Sequence, residues 1–179
     1  MTTLLDEEVG RDHRLLDSEA EALGGALSSE LPPRSQWVVL SWTVSDLWPT
    51  LELHFRKERA VLFPALRRVL GKEAGAITLL EESQPKLRLS VRHLSELLQD
   101  PGNLDWDRIP LAVQGFIYMW EEHEQMEKRL LLRVLEEQMS PHDLERTATA
   151  FHREGEKARE EEGWPRPAQA VDEPSPITQ

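Results

Sequence analysis

The chain contains no cysteine. That excludes disulfide frameworks, thiolate metal sites, cysteine-ligated iron–sulfur clusters and cysteine nucleophiles. Positive charge is also scarce: 21 Lys+Arg stand against 33 Asp+Glu, a net of −12. Such a surface repels phosphate backbones and anionic lipid, so neither a nucleic-acid module nor a membrane-docking protein is expected. No apolar run approaches the roughly 18 residues of a spanning helix. Residues Met1 to Glu8 are acidic and lack the apolar centre of a signal peptide. The expected location is the cytoplasm. Period-two alternation of useful length is missing, as is any solenoid-type repeat. There is no Gly-x-Ser-x-Gly, no Walker glycine loop and no Gly-x-Gly-x-x-Gly, so hydrolase and nucleotide chemistries have no support and the chain is not expected to be an enzyme.

What is present is helical periodicity. The 179 residues suit one compact domain, or one domain and a tail. Leu5, Val9, His13, Leu16, Ala20 and Leu23 recur at steps of four and three, the spacing of one helix face. Gly24-Gly25 weakens this helix and Leu31-Pro32-Pro33 stops it. A second helical stretch runs from about Ser35 to Leu70, with Leu40, Leu47, Leu51, His54, Glu58, Val61 and Ala65 on its stripe. Pro49 and Pro64 predict kinks or short breaks in it.

The third stretch, about Lys72 to Gln99, carries Ile77, Leu80, Gln84, Leu87, Val91, Leu94 and Leu98 on one side, and Pro85 is expected to interrupt it. The fourth opens near Asp107 to Pro110 and runs to about Gln138, with Val113, Phe116, Trp120, His123, Glu127, Leu130 and Val134 facing inward. Ser140-Pro141 reads as an N-cap and first helical residue of a short, charged fifth helix ending near Glu162. Residues 163–179 are proline-rich and nearly free of large apolar side chains, the composition of a disordered tail. Four amphipathic helices with short connections predict an all-α, antiparallel up-down four-helix bundle over residues 1–162, with the fifth helix added at its end.

The informative residues are the polar ones on the apolar stripes. His54 with Glu58 and His123 with Glu127 are both His-x-x-x-Glu. Positions i and i+4 lie one turn apart on one face, so each pair can reach a single point. His13 holds the same kind of position on the first helix. Facing helices of a bundle build metal sites from such inward groups, and imidazole suits iron, copper, nickel or zinc. The alternative is metal-free pairing of Glu58 with His123 and of Glu127 with His54, since a buried carboxylate costs several kcal/mol unless it is paired or ligates a metal. His93, His142 and His152 fall off the stripes and read as surface residues.

On these residues the chain resembles the hemerythrin-like, or HHE cation-binding, family. Asp12-His13-Arg14 in the first helix, His54 to Pro64 in the second, and His123 with Glu127 in the fourth match its pattern, and residues 132–141 look like the family's exit. The resemblance implies a non-haem di-iron centre that binds dioxygen or nitric oxide, senses oxygen or iron, or stores iron. It implies His13, His54, Glu58, His123 and Glu127 as metal ligands, the two Glu bridging. Two positions depart from the pattern. Arg59 replaces a second acid, and the histidine expected on the third helix falls at about Gln84, with Glu81 or Glu82 as substitutes if that helix is rotated. A di-iron site needs that third-helix ligand; without it one metal ion is expected, or none. In the last case the chain is a metal-poor bundle serving as a regulatory or interaction module.

Overall fold

The computed structural model describes residues 4–71, 75–129 and 137–163. The inward positions Leu130 and Val134, residues 132–136 of the exit segment 132–141, and all but Gly163 of the proposed 163–179 tail lie outside them. The described residues are helical, without strands. Helix α1 is Leu4–Ser28, α2 is Pro33–Lys57, a π-helical segment follows at Glu58–Leu62, α3 is Phe63–Leu70, α4 is Gly75–Leu97, α5 is Arg108–Glu127 and α6 is Pro141–Glu162. None is long and apolar enough to cross a membrane.

The stripes bury as their spacing requires. On α1, Leu5, Val9, His13, Leu16, Ala20 and Leu23 are all buried. On α4 the inward row from Ile77 to Leu94 is buried, Gln84 included, and Leu98 just past its end continues it. Helix α1 packs on α2, α2 on α4, α4 on α5 and α5 back on α1, so these four close a ring of contacts. Helix α6 lies across α1, α2 and the π segment. Ser140 caps it by accepting from the Asp143 N–H, with Pro141 in the first turn. Although charged, α6 is not short: its 22 residues bury Leu144, Thr147, Ala148, Phe151, Gly155 and Ala158.

Neither a break at Pro49 nor the expected interruption at Pro85 occurs. Pro49 lies within the continuous helix α2, and Pro85 within α4. A proline's φ near −65° is already helical, and only one backbone bond is lost. The buried rows on either side of each, Leu47 and Leu51 around Pro49, Gln84 and Leu87 around Pro85, hold the helix through it. Near Pro64 the expected break does occur, as the π segment just upstream, closed by the Phe63 N–H on the Glu58 carbonyl. The wider π turn moves the carbonyl four residues back away from the proline ring, with which it would clash in an α-helix. Gly71 ends α3 at φ 55°, a left-handed conformation that a side chain would strain.

The core falls into two apolar clusters. One is built on Leu16, Leu23, Leu40, Leu47, Leu51, Phe55, Leu94, Phe116 and Trp120. The other gathers Leu5, Val9, Leu62, Phe63, Leu66, Ile77, Leu80 and Phe151. In sequence His13 and Glu58 fall between the positions of the two clusters, and His54 falls at the end of the first, beside Phe55.

Candidate metal centre

His54, Glu58 and Glu127 are 0% exposed and His123 is 1% exposed. These four side chains converge from α2, the start of the π segment and the end of α5, and each offers one donor atom within 4.8 Å of the others. Both glutamates stand where α-helix meets π-helix: Glu58 opens the first π segment, and Lys128 and Arg129 begin another after Glu127. A π turn shifts the face a helix presents, which is one way of aiming a side chain into a site.

Each of the four residues has one polar atom tied and one left over. His123 Nδ1 lies 2.6 Å from Ser83 Oγ, and that hydroxyl also lies 2.7 Å from the Leu80 carbonyl. Its single proton goes to the carbonyl, so Ser83 Oγ accepts from His123 Nδ1–H. His54 Nδ1 faces the Asp12 carboxylate at 3.4 Å. Both imidazoles therefore carry a proton on Nδ1 and turn Nε2 inward. Gln84 Nε2 donates to Glu58 Oε2 at 2.9 Å. His13 Nε2 lies 2.7 Å from Glu127 Oε2. The atoms left without a hydrogen-bond partner include His54 Nε2, His123 Nε2, Glu58 Oε1 and Glu127 Oε1, one from each residue.

That pattern fits a metal ion. Buried polar atoms are normally satisfied, and four orphans among the residues of one cluster are costly. Separations of 3.6 Å from His123 Nε2 to Glu58 Oε1, and of 3.6 and 3.7 Å from His54 Nε2 to Glu58 Oε2 and Glu127 Oε2, are too long for hydrogen bonds. They match donors around one ion: bonds of about 2.1 Å put neighbouring ligands about 3 Å apart and opposite ones about 4.2 Å apart. The tied nitrogens supply the outer contacts that orient ligating imidazoles.

Electrostatics agree. Burial alone would raise the Glu127 carboxyl, but the charges of His13, then His54 and His123, hold it down at about 2. Burial opposes charge on His13 as well, yet Glu127 and Glu124 lift its imidazole to about 10. His123 is likewise raised, against burial, by Glu58. Carboxylates and imidazoles thus compensate one another here, and a cation bound in the site would take over the place of the extra imidazole protons. Trp120 lies against it, its ring centroid 5.6 to 5.8 Å from those of His13, His54 and His123.

A comparison with known families matches residues 4–135 to the hemerythrin HHE cation-binding domain. The chain belongs to that family. No curated protein and no solved structure matches it. Within this hemerythrin domain, His13 stands beside the four-residue cluster rather than in it, bonded to Glu127 and 3.4 Å from Glu124. Gln84, at 2% exposure, is the third-helix residue that faces the centre; Glu82 is exposed and Glu81 pairs with Arg67. His93 and His142 are away from the cluster, and His152 meets Glu8 at the surface. Sequence reasoning missed the outer residues Asp12, Lys57, Ser83 and Glu124. The available signal was a charged residue beside a stripe histidine (Asp12 before His13) and another three positions after one (Lys57 after His54).

Proposed function

We propose that this hemerythrin-domain chain holds iron between His54, Glu58, His123 and Glu127, in an up-down four-helix bundle domain assigned to residues 1–162. The observation that carries the reading is that four buried residues each have one atom tied and one without a partner, and that each offers a donor atom within 4.8 Å of the others. His13 steadies Glu127 and joins the ligands only by releasing it. Iron at this point would supply the binding of a diatomic gas, dioxygen or nitric oxide, and the working role is to bind or sense that gas, or to store iron. The protein's own part is to fix the imidazole tautomers through Ser83 and Asp12, to keep the Glu127 carboxylate charged, and to surround the centre with apolar packing that limits water.

Protein purified without chelators and analysed for metal tests this. About one equivalent is expected after iron is supplied, because a buried donor set fills when metal is available. Glu58→Ala and Glu127→Ala should lower metal affinity far more than His93→Ala, His142→Ala or His152→Ala. Less than roughly a tenth of an equivalent after reconstitution would leave the metal-poor interaction module as the better reading.

A further inference from the structure

We propose that Gln84 and Arg59 fill the place of a second metal ion, so that this centre takes one ion and not two. The inference rests on the metal reading above and settles its stoichiometry. A carboxylate bridges two ions most simply with one oxygen on each, and a hydrogen bond to an oxygen takes one of its two acceptor sites. Glu58 has only Oε1 free. Its Oε2 accepts from Gln84 Nε2 at 2.9 Å, and Gln84 Oε1 in turn accepts from Arg59 Nη1 at 3.0 Å. An ion on Oε2 would share that oxygen with the amide N–H, and Gln84 presents it a donor where a ligand would present a lone pair.

Charge gives the same answer. Arg59 brings a permanent cation two hydrogen bonds from Glu58, where it neutralises part of the carboxylate charge and repels a second divalent ion. Glu127 is occupied in a parallel way. His13 Nε2 holds its Oε2, leaving Oε1 free. Both Oε2 atoms, which face His54 Nε2 at 3.6 and 3.7 Å, thus already accept one N–H each from the protein, and the Oε1 atoms have no partner. The Gln84 side chain is buried and pinned at both its amide nitrogen and its oxygen, so it does not swing aside at small cost.

Metal-stripped protein dialysed anaerobically against ferrous iron, and separately against zinc as a redox-inert probe, counts the ions by elemental analysis. One equivalent is expected in the native sequence. Two tightly held equivalents would overturn this proposal while leaving the metal reading intact; none would sink that reading and the proposal with it. The double variant Gln84→His with Arg59→Glu replaces the N–H donor with a nitrogen acceptor and the cation with an acid. It is expected to reach two equivalents, and Gln84→His alone to take up the second ion only at higher free metal. Thermal unfolding by circular dichroism identifies the folded variants, and the single variant carries the test if the double does not fold. A folded variant that stays at one equivalent across the whole metal range would show that Gln84 and Arg59 are not the block.

Discussion

Lys57 and His54 meet the same oxygen of Asp12. Lys57 Nζ forms an ion pair with Oδ2, and His54 Nδ1 faces that atom at 3.4 Å. Asp12 is 6% exposed and Lys57 3%, so this is a buried pair set directly behind a candidate metal ligand. Lys57 also lies over the Phe151 ring of α6, 4.4 Å from its centroid. Burial would raise the Asp12 carboxyl, but His54 and Lys57 together hold it at about 2.

Removing one member of such a pair leaves the other charged and dry. Lys57→Met is expected to destabilise the metal-free protein by about 3 kcal/mol in urea unfolding, against less than half that for Lys57→Met with Asp12→Leu. A loss as large in the double variant as in the single would mean that the charge left behind is not the cause. The folded-state carboxyl is depressed, so the pair's contribution is fully present above the ordinary Asp value of 3.8 and is lost as pH falls through about 2.

Ser83 acts on the other imidazole. Ser83→Ala deletes the acceptor for His123 Nδ1–H and frees the ring to rotate or change tautomer. Metal affinity should fall about 10- to 100-fold, as for other outer contacts of ligating histidines, with the melting temperature of metal-free protein little changed. Competition with a chromophoric chelator measures the affinity. An unchanged affinity would mean that apolar packing alone holds the ring.

Much of this was legible in the sequence, for one physical reason. A 3.6-residue period places His13, His54, Gln84, His123 and Glu127 on the same rows as Leu and Val, and the rows do become the core. The register that sets Gln84 inward, ahead of Glu81 and Glu82, followed from that period through Leu80 and Leu87. Residues that act through another side chain were not legible. Ser83 and Asp12 lie beside stripe positions, and only three-dimensional packing decides that their short side chains turn towards an imidazole. The π segment was also invisible, because periodicity averages over a single widened turn. Pro49 and Pro85 misled because the local rule against internal proline is outweighed by burial of a whole helix face.

Gly155 tests how tightly Lys57 is held. A Cβ at this position would stand 3.0 Å from Lys57 Cδ. In a helix interior Ala normally gains about 0.5–1 kcal/mol over Gly. Lys57 has little room to yield, since Asp12 fixes its end and Phe151 lies beneath it, and overpacking costs about 1–3 kcal/mol. Crowding should win, so Gly155→Ala is expected to lose about 1 kcal/mol. The same change in a Lys57→Met background should be less harmful, because the thioether bends away. Stabilisation by Gly155→Ala in the native background would show that Lys57 moves freely.

Glu19 provides a pH signature away from the metal centre. Burial, followed by the like charge of Asp46, lifts its carboxyl to about 7 against the pull of Thr50. Thr50 Oγ1 lies 3.0 Å from Glu19 Oε1 and 2.9 Å from the Asp46 carbonyl. One hydroxyl proton cannot serve both, and a protonated Glu19 supplies the second. Glu19 Oε2 is buried without a partner, a further cost when the group is ionised. The folded-state value lies above the ordinary 4.5, so the native state binds the extra proton between those values. Stability from this group is thus greatest below about 4.5, declines as pH rises through 7, and stays low above it. Glu19→Gln keeps the shape and removes the charge. Metal-free Glu19→Gln should melt roughly 2–4 °C above the native sequence at pH 8, solvent screening at this partly exposed site keeping the gain small, and the two should converge near pH 4. A gain of equal size at both pH values would trace the effect to packing. A loss at pH 8 would show that Glu19 is ionised and well solvated there, and that the Thr50 hydroxyl donates to it after all.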